Sequence, residues 1–102
     1  MIHVVAKITA KPGQRAAILE AFRANVPAVL AEDGCIEYGP VIDAAGDNPG
    51  QAKIGADSFL VIEKWASLEA LGAHRTSPHM AAYGAKVKDM IAERAVHILQ
   101  PA

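Results

Sequence analysis

Residues 59–83 read FLVIEKWASLEALGAHRTSPHMAAY, and the fold turns on how this stretch divides. Phe59, Val61, Glu63 and Trp65 alternate with Leu60, Ile62 and Lys64, the two-residue period of a strand. Both sides of that strand are largely apolar, so both need a cover. Ser67 then offers an N-cap for a short helix reaching about Ala73. Thr76-Ser77-Pro78 resets the chain, with Ser77 as cap and Pro78 in the first helical position of a new helix. The stretch holds the only tryptophan, two of four histidines (His74 and His79) and a carboxylate inside an apolar strand.

Working outward, residues 2–9 (IHVVAKIT) are short and β-branched, which predicts a first strand. Lys11-Pro12-Gly13 is a turn. Residues 14–31 carry Ile18, Phe22, Val26 and Val29 at three- and four-residue spacing, which predicts a helix with one buried stripe. Pro27 should kink it or start a new turn, because proline lacks the backbone donor and crowds the preceding turn. Asp33-Gly34 stops the helix. Residues 35–43 (CIEYGPVID) are a second strand, with Gly39-Pro40 marking a bulge or an edge. Residues 44–57 are rich in Gly and Pro, which predicts a long, exposed, mobile loop. The last helix is expected to run to about Arg94, with Tyr83, Val87, Met90 and Ile91 as its stripe. Residues 95–99 would form a fourth strand.

The order is βαββαβ, an α+β ferredoxin-like plan with a four-stranded antiparallel sheet and its helices on one face. A second subunit is the economical cover for the other face, and a symmetric homodimer is the commonest solution. A length of 102 residues fits one domain, 1–102. The hydrophobic share of 52% is high for so small a monomer and hints at the same interface. A net charge of −1 with scattered Lys and Arg predicts neither nucleic acid nor an anionic membrane as partner. The single cysteine, Cys35, excludes an internal disulfide and suits a reducing compartment; it reads as strand filler rather than a nucleophile. The N-terminus lacks a signal-peptide layout, and no apolar run reaches membrane-spanning length, so a cytoplasmic location is expected.

The chemistry-bearing residues gather around residues 59–83. Glu63 among Phe, Leu, Val, Ile and Trp is costly unless paired or hydrogen-bonded. Its bland reading is a strand-end carboxylate in a structural ion pair. Trp65 shares its face and offers one N–H; the bland reading is core packing. A continuous helix would point His74 and His79 well apart, but the Ser77-Pro78 break lets them converge. A helix C-terminus favours imidazolium at His74 and a helix N-terminus favours neutral imidazole at His79, so one site could hold an acid and a base. The bland reading of the pair is two surface histidines on a helix junction. Their spacing matches no strong zinc pattern, so no metal is expected. There is no glycine-rich phosphate loop, GxSxG elbow or dinucleotide fingerprint.

AKITAKPG on the first strand, AEDGCIEY entering the second, and FLVIEKWASLEALGAHRTSPHM together resemble the antibiotic biosynthesis monooxygenase (ABM) superfamily, especially its small quinol-monooxygenase-like members. The resemblance leaves only residues 44–57 outside it; the E-x-W followed by the two histidines is its specific part. It implies a dimeric α+β barrel of two ferredoxin-like subunits packed sheet to sheet, with a pocket between sheet and helices in each. It also implies oxidation of a quinol-like or polycyclic phenolic small molecule by O2 without flavin or metal, the substrate supplying the electrons. The protein then supplies a base, an apolar pocket and donors for the developing oxyanion. Carried over, Trp65 would line the pocket and His74 and His79 would handle protons. Glu63 would orient one of them, with Tyr38, Asn25 and Tyr83 as further contacts to substrate. Haem-degrading relatives use an asparagine on the first strand where this chain has Ala6, so that activity is not expected. The alternatives are a small-molecule isomerase using the same histidines, and a non-catalytic ligand-binding or stress-response dimer.

Overall fold

The computed structural model describes residues 1–102 and contains eight elements. They are β1 (Ile2–Ala10), α1 (Arg15–Leu30), β2 (Cys35–Val41), β3 (Ser58–Trp65), α2 (Leu68–Arg75), α3 (Pro78–Val87), a 3-10 turn (Lys88–Met90) and β4 (Ile91–Leu99). The sheet order is β2-β3-β1-β4, and every neighbouring pair is antiparallel. This is the βαββαβ ferredoxin-like α+β arrangement.

Alternation along the two central strands decides which face carries the core. Val4, Ala6, Ile8 and Ala10 of β1 are buried, as are Phe59, Val61, Glu63 and Trp65 of β3. Ile18, Leu19, Phe22 and Val29 of α1 close over them, joined by Leu71 of α2 and Val87 of α3. Phe22 is the hub: it stacks on Tyr38 at 5.1 Å and meets Phe59 and Tyr83 edge-on. The opposite sheet face presents Val5, Leu60 and Ile62, all half-buried without any element above them, beside the exposed Val41 and Leu99.

Several local expectations change. Helix α1 runs through Pro27 without a break in assignment. Phe22 and Val29, buried on either side of it, hold both halves against the sheet, and that packing outweighs the lost bond. Strand β2 lies at the sheet edge, where Pro40 removes no needed ladder bond, but its register shift falls between Cys35 and Glu37 rather than at Gly39-Pro40. The last helix stops at Val87 instead of Arg94, and β4 begins at Ile91. Residues 91–94 are taken by β1, with Ala10 opposite Ile91 and Ile8 opposite Arg94; Met90 instead uses its carbonyl to accept from Lys11 N–H. An apolar run with both periods is decided by the available strand edge. The 44–57 segment is exposed, but its base is pinned. The Asp43 carboxylate accepts from the N–H groups of Ile54 and Gly55, both at 2.9 Å, and these bonds hold its pKa below the ordinary value.

Candidate active site

The break between α2 and α3 builds the site. Ser67 caps α2 by accepting from Ala70 N–H, and Ser77 caps α3 by accepting from Met80 N–H. The Ser77 hydroxyl also donates to the His74 carbonyl at 2.8 Å, tying the end of one helix to the start of the next. His74 therefore sits in the last turn of α2 and His79 in the first turn of α3, both on the inner side of the bend.

They meet on one carboxylate that sequence reasoning did not select. His74 Nδ1 lies 2.8 Å from Glu32 Oε2, and His79 Nε2 lies 2.7 Å from the same oxygen. Glu32 stands just past α1, two residues before Gly34. Gly34 has φ +82, and a Cβ there would come within 2.6 Å of Ala70 Cβ. That glycine lets the turn lie flat against α2 and so delivers Glu32 to the histidines. The one available signal was an acid in a glycine-terminated helix end, but its partners lie 42 and 47 residues away.

The carboxylate sets the tautomer of His74. An ionised carboxylate only accepts, so Nδ1 carries the proton and Nε2 of the neutral ring is left as a bare acceptor. His74 is buried, with only 4% of its surface exposed, against Trp65 at 4.7 Å between ring centres and Tyr38 at 5.5 Å. Its Nε2 has no partner within the protein, yet no buried polar side-chain atom is left unpaired. Nε2 is thus the atom that His74 presents to the cavity it lines.

That cavity, of about 390 Å³, lies between the inner sheet face and the helices. This is within the roughly 300–1,000 Å³ usual for small-molecule sites. Its walls are mainly apolar, including Val4, Ala6, Val61, Leu71, Met80 and Val87. Four polar groups face inward: His74, Glu63, Tyr38 and Tyr83. Arg75, Lys88 and Arg94 supply cations to the lining. Val96 and Ile98 of edge strand β4 also line it and are exposed, so the cavity opens on that side.

Burial governs the chemistry of the inner groups. The Tyr38 hydroxyl is pushed well above the ordinary phenol range by burial first and by Glu63 next. Burial pushes Tyr83 up to about 12, with Arg94 opposing. Both phenols therefore keep their protons at neutral pH, which leaves their hydroxyls available as donors. Glu63 is raised above the ordinary carboxyl value, again chiefly by burial, while the Trp65 hydrogen bond and the His74 ring pull the other way.

Some expected roles move. Trp65 has no exposed surface and does not line the cavity; its Nε1 donates to Glu63 Oε1 at 2.9 Å, so it is the group that fixes Glu63. Glu63 orients neither histidine, because Glu32 occupies that place. Asn25 lies away from the cavity and donates from Nδ2 to Met80 Sδ at 3.4 Å. His79 is not among the cavity-lining residues; it is partly exposed and bonds Glu32. Tyr38 and Tyr83 both line the cavity.

Known proteins share this chain's sequence pattern and fold. The chain is 43% identical over 103 aligned residues to a protein of Escherichia coli (strain K12) named Probable quinol monooxygenase YgiN, spanning 99% of this chain and 98% of the relative. Rv0793 of Mycobacterium tuberculosis superposes with a TM-score of 0.80 at 29% identity, over 99% of this chain and 94% of that one. PA3566 of Pseudomonas aeruginosa gives a TM-score of 0.82 at 25% identity, over 99% and 93%. The pattern that defines the family described as antibiotic biosynthesis monooxygenase matches residues 1–86, and the chain belongs to that family.

Proposed function

We propose that the cavity is the active site of a cofactor-independent monooxygenase acting on a quinol-like aromatic, with His74 as the base. Family membership and a full-length relative named as a quinol monooxygenase support the monooxygenase function. The observation that carries the assignment is the His74 ring, held through Nδ1 by Glu32 and open to an apolar cavity through Nε2.

A hydroquinone bound between Val61, Leu71 and Val87 loses a ring hydroxyl proton to His74 Nε2. The imidazolium formed is stabilised by Glu32 at 2.8 Å, the logic of any carboxylate–histidine pair. Tyr38 and Tyr83, kept protonated by burial, donate to the phenolate and to the oxyanion that develops as O2 reacts. Arg75 and Arg94 favour the same negative charge. Glu63, fixed by Trp65, accepts from the second hydroxyl. The overall change balances without an external reductant: hydroquinone plus O2 gives hydroxyquinone plus water, and all four electrons come from the substrate.

The same reading takes the uncovered apolar sheet face, with Val5, Leu60 and Ile62, as the contact of a homodimer packed sheet to sheet. Oxygen uptake with menadiol, above the rate of its autoxidation, tests the activity. Wild type is expected to accelerate uptake and His74→Gln to lose at least 100-fold. Wild-type uptake at the autoxidation rate sinks the reading.

A further inference from the structure

Glu32, His74 and His79 place a carboxylate oxygen and two imidazole nitrogens within 4.8 Å of one another. They come from three separate pieces of chain: the turn after α1, the end of α2 and the start of α3. The two hydrogen bonds to Glu32 explain how the three groups rest together. They do not explain why two imidazoles are brought to a single oxygen when one suffices to orient His74. We propose that this trio is a binding site for a divalent late transition-metal ion of the zinc type, on the side of His74 away from the cavity.

The donor set fits that ion. Two imidazoles and one carboxylate suit zinc, whereas magnesium and calcium prefer oxygen ligands. Zinc bonds of about 2.0–2.2 Å in tetrahedral geometry put ligand atoms about 3.3 Å apart. The present separations from the Glu32 oxygen are 2.7 and 2.8 Å, and the three donor atoms lie within 4.8 Å of one another, so the carboxylate withdraws by about half an ångström while the two rings close towards each other. The fourth position is left to water. Access is provided by the outer members: the side chains of His79 and Glu32 are 28% and 13% exposed, against 5% for His74. Ser77 Oγ lies 3.2 Å from His79 Nε2, close enough to hydrogen-bond the bound water.

The consequence for His74 follows from proton count. A neutral imidazole holds one proton. When the metal takes Nδ1, that proton resides on Nε2, the atom facing the cavity. Metal binding therefore turns the cavity-facing acceptor into a donor, with no flip of the ring. His79 likewise shifts its proton to Nδ1. The metal site itself stands apart from the proposed oxidation; only its predicted inhibition rests on that reading.

Calorimetric titration of the purified full chain with zinc chloride, in a non-chelating buffer at neutral pH, tests the site. One ion per chain with micromolar Kd is expected. Glu32→Gln and His79→Ala should each weaken binding at least tenfold, while His97→Ala, on the opposite sheet face, binds as wild type does. Circular dichroism confirms that each variant is folded. Nitrogen NMR of the histidine rings should show the His74 proton moving from Nδ1 to Nε2 on saturation. Absent or millimolar binding overturns the proposal, as does binding that ignores both variants or a His74 tautomer that zinc does not change. Zinc should also suppress menadiol-dependent oxygen uptake at least tenfold, reversibly with chelator. Zinc binding and NMR decide the metal site whether or not zinc-free protein consumes oxygen; a lack of uptake there overturns only the oxidation reading.

Discussion

At the scale of single residues, the site separates three carboxyl and imidazole roles that one short stretch had seemed to combine. Glu32 holds His74, Trp65 holds Glu63, and of the two histidines only His74 lines the cavity. Glu32→Gln keeps the shape but weakens the stabilisation of an imidazolium. It is expected to lower kcat about 10- to 100-fold with a smaller change in KM, measured as oxygen uptake. Glu63 gives a pH prediction. Its folded pKa is raised above the reference 4.5 by burial, so the unfolded chain ionises first. The folded state then binds more protons, and stability falls as pH rises from about 4.5 through the folded pKa. Glu63→Gln keeps an acceptor for Trp65 and removes the titration. Urea unfolding should show the variant lacking that decline, and wild type becoming more stable across the same window would contradict the assignment.

At the scale of elements, caps and one glycine position the site. Ser67 and Ser77 both cap helices, and losing either should cost about 1 kcal/mol. Ser77 also ties the end of α2 to α3. Ser77→Ala should therefore reduce turnover more than Ser67→Ala at equal loss of stability, read by comparing oxygen uptake with thermal melts. Two glycines offer a controlled contrast. Gly13 and Gly34 share nearly the same positive φ, but only Gly34 has a neighbour, Ala70, in the way of a Cβ. Gly13→Ala should cost about 1–2 kcal/mol from backbone strain alone. Gly34→Ala should cost more and also displace Glu32, lowering activity in the folded fraction. Equal penalties would show that the close approach to α2 is unimportant. Much of this level was legible in advance. Strand β3, both serine caps and Pro78 at a helix start follow from local rules that tertiary contacts did not override. The end of the last helix was not legible, because residues 91–94 pair with β1, more than 80 positions away in sequence.

For the whole molecule, the sheet leaves one face without helices. Val5, Leu60 and Ile62 line its centre in a half-buried state. If that face joins two copies, Ile62→Lys should produce monomers in sedimentation and lower the melting temperature in a concentration-dependent way. A wild-type monomer at high micromolar concentration would remove the dimer. No helix is long and apolar enough to cross a membrane.

Local patterning alone was enough for the element order and for the face of β3 that carries Phe59, Val61, Glu63 and Trp65. Those follow from periods of two and 3.6 residues and from local capping, which act over a few positions. It also brought attention to His74 and His79, because a Ser-Pro restart is visible in the chain. What those histidines bind was settled by long-range contacts. Glu32 lies more than forty residues upstream, and no local rule links it to them. Only packing placed Trp65 beneath Glu63 instead of in the cavity wall, since burial depth depends on what the helices cover. The division has one physical cause. Propensity and pattern are short-range, whereas the pairing of a buried charge is settled by whichever group the folded chain brings within about 3 Å.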